Sequence, residues 1–250
     1  MPKVLVIFGS KSDEKVYSRV INVLKENKIE HELRICSAHR TPAEIDNILA
    51  VEHALVIAGA GLAAALPGAV AAKTIRPVIG VPCQVNYLGL DSLLSIVQMP
   101  PGVPVLAVGV DKAEIAANNA MLMLREYEGV NIIADEKTKA VEKAITMLDA
   151  FGVNYKESTE VDSGRINLEF VYFDEPLEQK NELCIYCPML LEEDDKAEAA
   201  INLLDHSTHG LWVGLNRGDN AALAAIEILN LNGKYTQKLE EARKQWKVKK

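Results

Sequence analysis

VLVIFGSKSD, residues 4–13, is the stretch from which the fold can be read. Val4 to Phe8 is a strand-sized apolar run, too short for a helix and bounded by Gly9. Ser12 and Asp13 then lead into an amphipathic stretch, 14–27, whose apolar residues recur at helical spacing. A buried strand that passes through a glycine and small hydroxyl residues into a helix is the opening step of a parallel α/β sheet.

The same alternation continues outward from this stretch. Strands are predicted at 32–36, 54–58, 78–81 and 105–110, and helices at 42–51, 63–74, 91–98 and 113–127. A series of βα units in a row predicts a three-layer αβα, doubly wound parallel sheet of flavodoxin or Rossmann type. In such a sheet the ligand lies beyond the carboxyl ends of the strands, so the residues just after each strand are where chemistry is sought.

Composition narrows the partners. The 250 residues are 49% hydrophobic and 25% charged, the proportions of an ordinary globular protein. No apolar run nears the roughly 18–20 residues that span a bilayer, and nothing reads as a signal peptide, so no membrane partner is expected. Twenty-seven basic against 35 acidic residues, net −8, disfavour a protein that binds nucleic acid by neutralising its phosphates. A small-molecule partner is expected. Cys36, Cys83, Cys184 and Cys187 sit in apolar runs, which suits a reducing cytoplasm better than a disulfide framework. Cys184 and Cys187 make a CxxC, but 183–188 reads as a buried strand, and no second ligand pair stands at zinc spacing.

The second half echoes the first. Ala134-Asp135-Glu136-Lys137, a helix-like 140–151 and Gly152-Val153-Asn154-Tyr155 parallel Ser12-Asp13-Glu14-Lys15 and the helix that runs to Lys28-Ile29-Glu30-His31. Tyr186-Cys187-Pro188 loosely parallels Val81-Pro82-Cys83, with a helix at 195–204 and a strand at 211–215. Val213-Gly214-Leu215-Asn216-Arg217 then parallels Val108-Gly109-Val110-Asp111-Lys112. Ordered echoes predict a tandem, a first domain at 1–128 and a degenerate second α/β domain with a C-terminal helix at 129–250. Residues 1–128 carry 12 basic and 13 acidic side chains, and 129–250 carry 15 and 22, so the second half supplies most of the acidity and suits a supporting role. The basic tail, Lys244, Lys247, Lys249 and Lys250, reads as a solvated helix end.

Three strand-end loops carry candidate chemistry. Gly9 to Asp13 opens a helix, where hydroxyls and free backbone N–H groups bind anions; the same residues also describe an ordinary N-cap. Ser37-Ala38-His39-Arg40-Thr41-Pro42 sets a hydroxyl, an imidazole and a guanidinium together, with Pro42 at a first helical position. The guanidinium of Arg40 matches a phosphate, and His39 is the candidate general acid and base, where a structural histidine is the plainer alternative. Ala58-Gly59-Ala60-Gly61 brings small residues to the same edge, so that backbone at Gly61 can approach a flat ligand, although close strand-to-helix packing needs the same glycines. Together they suggest a sugar phosphate bearing a ring: Ser10, Ser37 and Arg40 on the phosphate, and Asp13 on a ribose diol.

GSKSD (9–13), SAHRTP (37–42), AGAGLAAALPG (58–68), PVIGVP (77–82) and GLDSLLSIVQMPPGVPV (89–105) resemble the 5-(carboxyamino)imidazole ribonucleotide mutase family of purine biosynthesis, also called the catalytic subunit of phosphoribosylaminoimidazole carboxylase. The resemblance runs from Val4 to about Leu124. It implies a mutase, an isomerase that interconverts the N-carboxyamino and C4-carboxy forms of aminoimidazole ribonucleotide without metal or organic cofactor. It also implies phosphate binding by Ser10, Ser37 and Arg40, a ribose contact by Asp13 and acid/base work by His39. Family members usually carry histidine at the position of Ala65, which leaves direct carboxylation of aminoimidazole ribonucleotide with carbon dioxide as an alternative activity, a carboxy-lyase. A non-catalytic nucleotide-binding protein is the third reading. The family's octamers of single domains imply a homotetramer of these two-domain chains.

Overall fold

Val4–Phe8 forms β1 and is buried at every position, as a central strand must be. It pairs in parallel with β2 (His31–Ile35) on one side and β3 (Leu55–Gly61) on the other, and β4 (Val78–Cys83) and β5 (Leu106–Ala107) extend the sheet in the same direction. The connecting helices are α1 (Glu14–Glu26), α2 (Glu44–Leu49), α3 (Ala65–Ala71), α4 (Leu90–Val97) and α5 (Ala113–Met123). Alternate strand residues feed two cores: Val4, Val6 and Phe8 pack with α1 and α5, while Leu5 and Ile7 pack with α2, α3 and α4. This computed structural model describes residues 3–173, 177–190 and 195–248. Lys249 and Lys250, and the side chain of Lys247, lie outside the described residues.

The second half lays down β6 (Val130–Ile133), β7 (Tyr155–Ser158), β8 (Ile166–Val171), β9 (Cys184–Pro188) and β10 (Leu211–Trp212), with α6 (Lys139–Phe151), α7 (Lys196–His206), α8 (Gly218–Leu229) and α9 (Thr236–Val248). The described strands make one 10-stranded sheet in the order β2-β1-β3-β4-β5-β10-β9-β8-β6-β7. Each half therefore has its first strand between its second and third. Strands are parallel within each half, as expected, and the halves join where Trp212 pairs antiparallel with Ala107. The strand expected at 105–110 is cut to Leu106–Ala107. Val108 N–H still reaches the Gly80 carbonyl at 3.0 Å. Beyond it, a Cβ on Gly109 would lie 1.9 Å from the Ser207 carbonyl oxygen, and Asp111 turns with φ of 58°.

The last of the three echoes holds bond for bond, and so does the end of the first. Asp111 and Asn216 both have positive φ, 58° and 56°, and their N–H groups donate to Pro82 and Pro188, each at 2.8 Å. Their Oδ1 atoms accept from Gln84 N–H (3.1 Å) and Leu190 N–H (3.2 Å). Lys28–Ile29 and Gly152–Val153 likewise close α1 and α6 with the same pair of backbone bonds, two of them 2.9 and 3.0 Å from Ile29 to Leu24 and Val153 to Leu148. The middle echo is shifted by one residue, since these bonds match Pro188 with Pro82 rather than with Cys83, and the start of the first echo is out of step. Val4 pairs His31 as Val130 pairs Tyr155, which sets Ala134 level with Phe8 rather than with Ser12; the likeness of 12–15 to 134–137 is one of composition only.

Among the described residues no helix joins β7 to β8 or β8 to β9. The face that α2 and α3 cover in the first half is covered here by loop, and loop backbone must find polar partners. Asn131 and Asn167, fully buried, supply them from the register positions of Leu5 and Val56. Asn131 Nδ2 donates to the Glu160 carbonyl and to Asn167 Oδ1, both at 2.9 Å, and Asn167 Oδ1 also accepts Asp162 N–H at 2.8 Å. All four cysteines are free and buried, and Cys184 and Cys187 face opposite sides of the sheet, one in each core. Among the described residues no helix is long and apolar enough to cross a membrane.

Candidate active site

Loops from the carboxyl ends of β1, β2 and β3 meet around one cleft of ≈ 600 Å³, and Ser10, Asp13, Ser37, His39, Arg40 and Gly61 all line it. In the first loop, Gly9 N–H prolongs the ladder to the Gly59 carbonyl at 2.9 Å. Ser10 is then extended and caps a short 3-10 turn, its Oγ accepting Ser12 N–H at 3.2 Å and the Ser12 hydroxyl at 2.7 Å. Both bonds use lone pairs, so the Ser10 proton stays available for an anion. Burial raises the Asp13 carboxyl above its ordinary value, the Ser12 hydroxyl and Ser10 N–H oppose this, and the Asp111 carboxylate adds to it. Sugar hydroxyls donating to Asp13 would relieve that strain.

The second loop is a clamp. Thr41 N–H donates to the Ser37 carbonyl at 2.8 Å; Thr41 Oγ1 accepts Ser37 N–H at 3.2 Å and donates back to its carbonyl at 3.3 Å, and Ser37 Oγ accepts Arg40 N–H at 3.3 Å. The turn so closed holds Ala38, His39 and Arg40 at its tip, with His39 and Arg40 exposed. It also delays the helix. Pro42 is in a turn and α2 starts at Glu44, because Thr41 is already committed to Ser37. Sequence reasoning missed Thr41, although its hydroxyl four residues after Ser37 was the available signal.

The third loop requires glycine. A Cβ on Gly61 would lie 2.6 Å from Val85 Cγ2 and 3.1 Å from the Cys83 carbonyl. Gln84 N–H is held by Asp111 Oδ1 at 3.1 Å, and Ser92 Oγ donates to the Cys83 carbonyl at 3.1 Å and the Gly89 carbonyl at 2.9 Å, so Val85 is kept over Gly61. Val85, Leu62, Leu66 and Ala65 form an apolar wall facing the polar one. A cleft with hydroxyls and a guanidinium on one side, an imidazole at the tip and an apolar flat wall opposite can seat a ring-bearing sugar phosphate. Among the described residues no group of His, Cys, Asp or Glu is placed to hold a metal. A larger groove of ≈ 990 Å³ lies between Val51, His53, Arg76 and α9, at the amino ends of β3 and β4, on the opposite edge of the sheet from the cleft.

The matching point of the second half is filled. Counting on from the paired strands, Glu136 stands where Ser10 does and Tyr172 where Gly61 does. Tyr172 Oη donates to Glu136 Oε1 at 2.6 Å.

Residues 3–131 match the model of the AIR carboxylase family. Over 122 residues the chain is 51% identical to the N5-carboxyaminoimidazole ribonucleotide mutase of Methanocaldococcus jannaschii, covering 48% of this chain and 78% of that protein. It is 50% identical over 129 residues to the mutase of the same name from Pyrococcus abyssi, covering 50% and 74%. A probable N5-carboxyaminoimidazole ribonucleotide mutase of Methanobrevibacter smithii is 44% identical over 132 residues, 51% of this chain but 39% of that protein.

Proposed function

The chain belongs to the AIR carboxylase family, and from that premise we propose that it interconverts N5-carboxyaminoimidazole ribonucleotide and 4-carboxy-5-aminoimidazole ribonucleotide in purine biosynthesis, at the cleft around His39. The carrying observation is the convergence of Ser10, Asp13, Ser37, His39, Arg40 and Gly61 on one cleft. Arg40, Ser10 and Ser37 hold the phosphate, and Asp13 accepts from the ribose. Protonated His39 donates to the carbamate nitrogen as its C–N bond breaks and carbon dioxide leaves. The ring C4 then attacks the trapped carbon dioxide, and neutral His39 removes the C4 proton. Proton and carbon dioxide are both returned, so the reaction is an isomerisation. Retention of carbon dioxide requires a site closed to water.

Ala65 on the cleft wall favours one second reading, direct carboxylation of aminoimidazole ribonucleotide. Assay of the purified chain with the carbamate alone, and separately with aminoimidazole ribonucleotide and bicarbonate, decides between them. Turnover of the carbamate without added bicarbonate is expected; turnover only in the second assay would establish the carboxylase, and turnover in neither a binding protein.

The two halves are proposed to be a catalytic domain, 1–128, and a degenerate copy, 129–250, supported by the common strand order and the matched turns at Asp111 and Asn216. Four such chains are proposed to assemble. Leu62 and Val85, 48% and 55% exposed, line the cleft, and Tyr87 and Leu88, 77% and 71% exposed, follow Val85 in the chain. An apolar rim of this kind marks an interface, and covering it would also close the site. Light scattering should give about 110 kDa, four times the 27.4 kDa chain; a stable monomer would exclude the assembly.

A further inference from the structure

The second half has gained polar groups where the first has none. Val108 N–H to the Gly80 carbonyl matches Val213 N–H to the Tyr186 carbonyl, and the pair Ala58–Gly80 matches Glu169–Tyr186. Val78, Gly80, Ala58 and Pro104 therefore correspond to Cys184, Tyr186, Glu169 and His209. Four apolar or small positions have become titratable ones, and all four are buried. Polar side chains in a core are costly unless each finds a partner.

Three of these side chains have an atom without one. Tyr186 Oη, His209 Nε2 and Glu169 Oε1 have no hydrogen-bond partner among the described residues, at residue exposures of 1%, 7% and 4%. The other Glu169 oxygen is taken by the Lys180 ammonium. Tyr186 and His209 both line a cavity of ≈ 260 Å³, walled further by Ile115, Leu122, Cys184 and Lys180. At roughly 30 Å³ per water, this is room for several waters or one small ring system.

The geometry of its floor is specific. The Tyr186 ring stacks on Trp212 at 4.9 Å and meets the His209 ring edge-on, at 5.8 Å and 86°. Only glycine permits this at Gly210, whose φ is +67° and where a Cβ would lie 2.2 Å from the Tyr186 ring. Burial holds the Tyr186 phenol above its ordinary value, with the charge of Glu169 adding to it. Burial also holds the His209 imidazole below its own, against the pull of the Glu178 carbonyl and Glu169. Both groups are neutral near pH 7, and Lys180 is already neutralised by Glu169. Arg125 and Glu182 add one charge of each sign to the cavity wall, but the two floor groups bring none, and a neutral ring edge carrying a donor and an acceptor would satisfy both.

We propose that this cavity is a second small-molecule site, separate from the cleft at His39, and that it takes an uncharged planar heterocycle of nucleobase size, hydrogen-bonded by Tyr186 and His209. The proposal does not rest on the activity assigned to the His39 cleft. Trp212 against Tyr186 supplies a fluorescent reporter. The full chain is titrated with adenine, with hypoxanthine and with inorganic phosphate, by calorimetry and tryptophan emission. A base is expected to bind saturably, one per chain, with a change in emission. Tyr186→Phe, which keeps the ring and its packing, should weaken it about tenfold, the scale of one buried hydrogen bond, and leave turnover at the His39 cleft unchanged. Saturable binding by neither base, equal binding by wild type and Tyr186→Phe, or a preference for phosphate that persists in Arg40→Ala would each overturn the proposal.

Discussion

The carboxyl ends of β1 and β3 and those of β6 and β8 share a backbone plan and end differently. In the first half Gly9, Ser10 and Gly61 leave a cleft that His39 and Arg40 overlook. In the second, Glu136 and Tyr172 occupy the matched positions and hydrogen-bond to each other across the gap. The sheet supplies the place, and a few loop residues decide whether it is open: one ring at the position matched to a glycine, and one carboxylate at the position matched to a hydroxyl. The second half also has, among the described residues, no helices where α2 and α3 flank the cleft, and Asn131 and Asn167 bond the loop that covers this face. A binding loop and a packed face are separable features of this fold.

The largest way to break the comparison is at its one chemical difference. His39→Asn should lower turnover by about 10²–10⁴-fold, the usual contribution of a general acid and base, while nucleotide binding persists. Steady-state kinetics check it, and near-wild-type turnover would remove His39 from the mechanism. Next comes the matched glycine pair. A Cβ at Gly109 would lie 1.9 Å from the Ser207 carbonyl, whereas at Gly214 its nearest backbone neighbour is the Val97 carbonyl at 3.0 Å. Gly109→Ala should therefore destabilise the chain by about 3 kcal/mol or more, and Gly214→Ala by about 1 kcal/mol. Denaturant midpoints that failed to separate the two variants would mean that the join between the halves gives way easily.

Arg40→Ala should weaken the nucleotide by about 1.5–3 kcal/mol, the range for a hydrogen bond to a charged group, and leave the corresponding nucleoside unaffected. Calorimetry with both ligands tests this; equal losses would place Arg40 away from the phosphate. The most gradual effect concerns Glu227, which stands on α8 where α5 has Leu122. Burial pushes its carboxyl up to about 8 against the pull of Arg243, whose guanidinium Nη2 donates to Glu227 Oε1 at 2.9 Å. A folded value above the unfolded 4.5 means that the folded chain holds the proton more tightly. This contribution to stability is complete below about pH 4.5 and is lost as pH rises through about 8. Thermal midpoints measured across that window should fall with pH in the wild type and fall less in Glu227→Gln; parallel profiles would show that Glu227 does not titrate there.

Much of the first half was legible because strand and helix periods are local. Val4 to Phe8 and the strand-end loops carried their own signals, and all the singled-out cleft residues share one cleft because parallel βα units bring strand ends to one edge. Thr41, Val85, Asp111 and Ser92 were not legible as parts of the site. Their roles depend on hydrogen bonds and contacts made only once β4 and the Asp111 turn lie beside β3.

By itself the sequence determined the order of elements in the first half, the echo that carries Asp111 to Asn216, and the burial of the four cysteines, since each follows from side-chain pattern over a few residues. Tertiary structure alone decided the antiparallel join of Ala107 to Trp212, the true register of the second half, the opposite faces of Cys184 and Cys187, and the plugging of the second cleft by Tyr172. Those features pair groups far apart in the chain, and no local period records which distant partner a strand or a ring will meet.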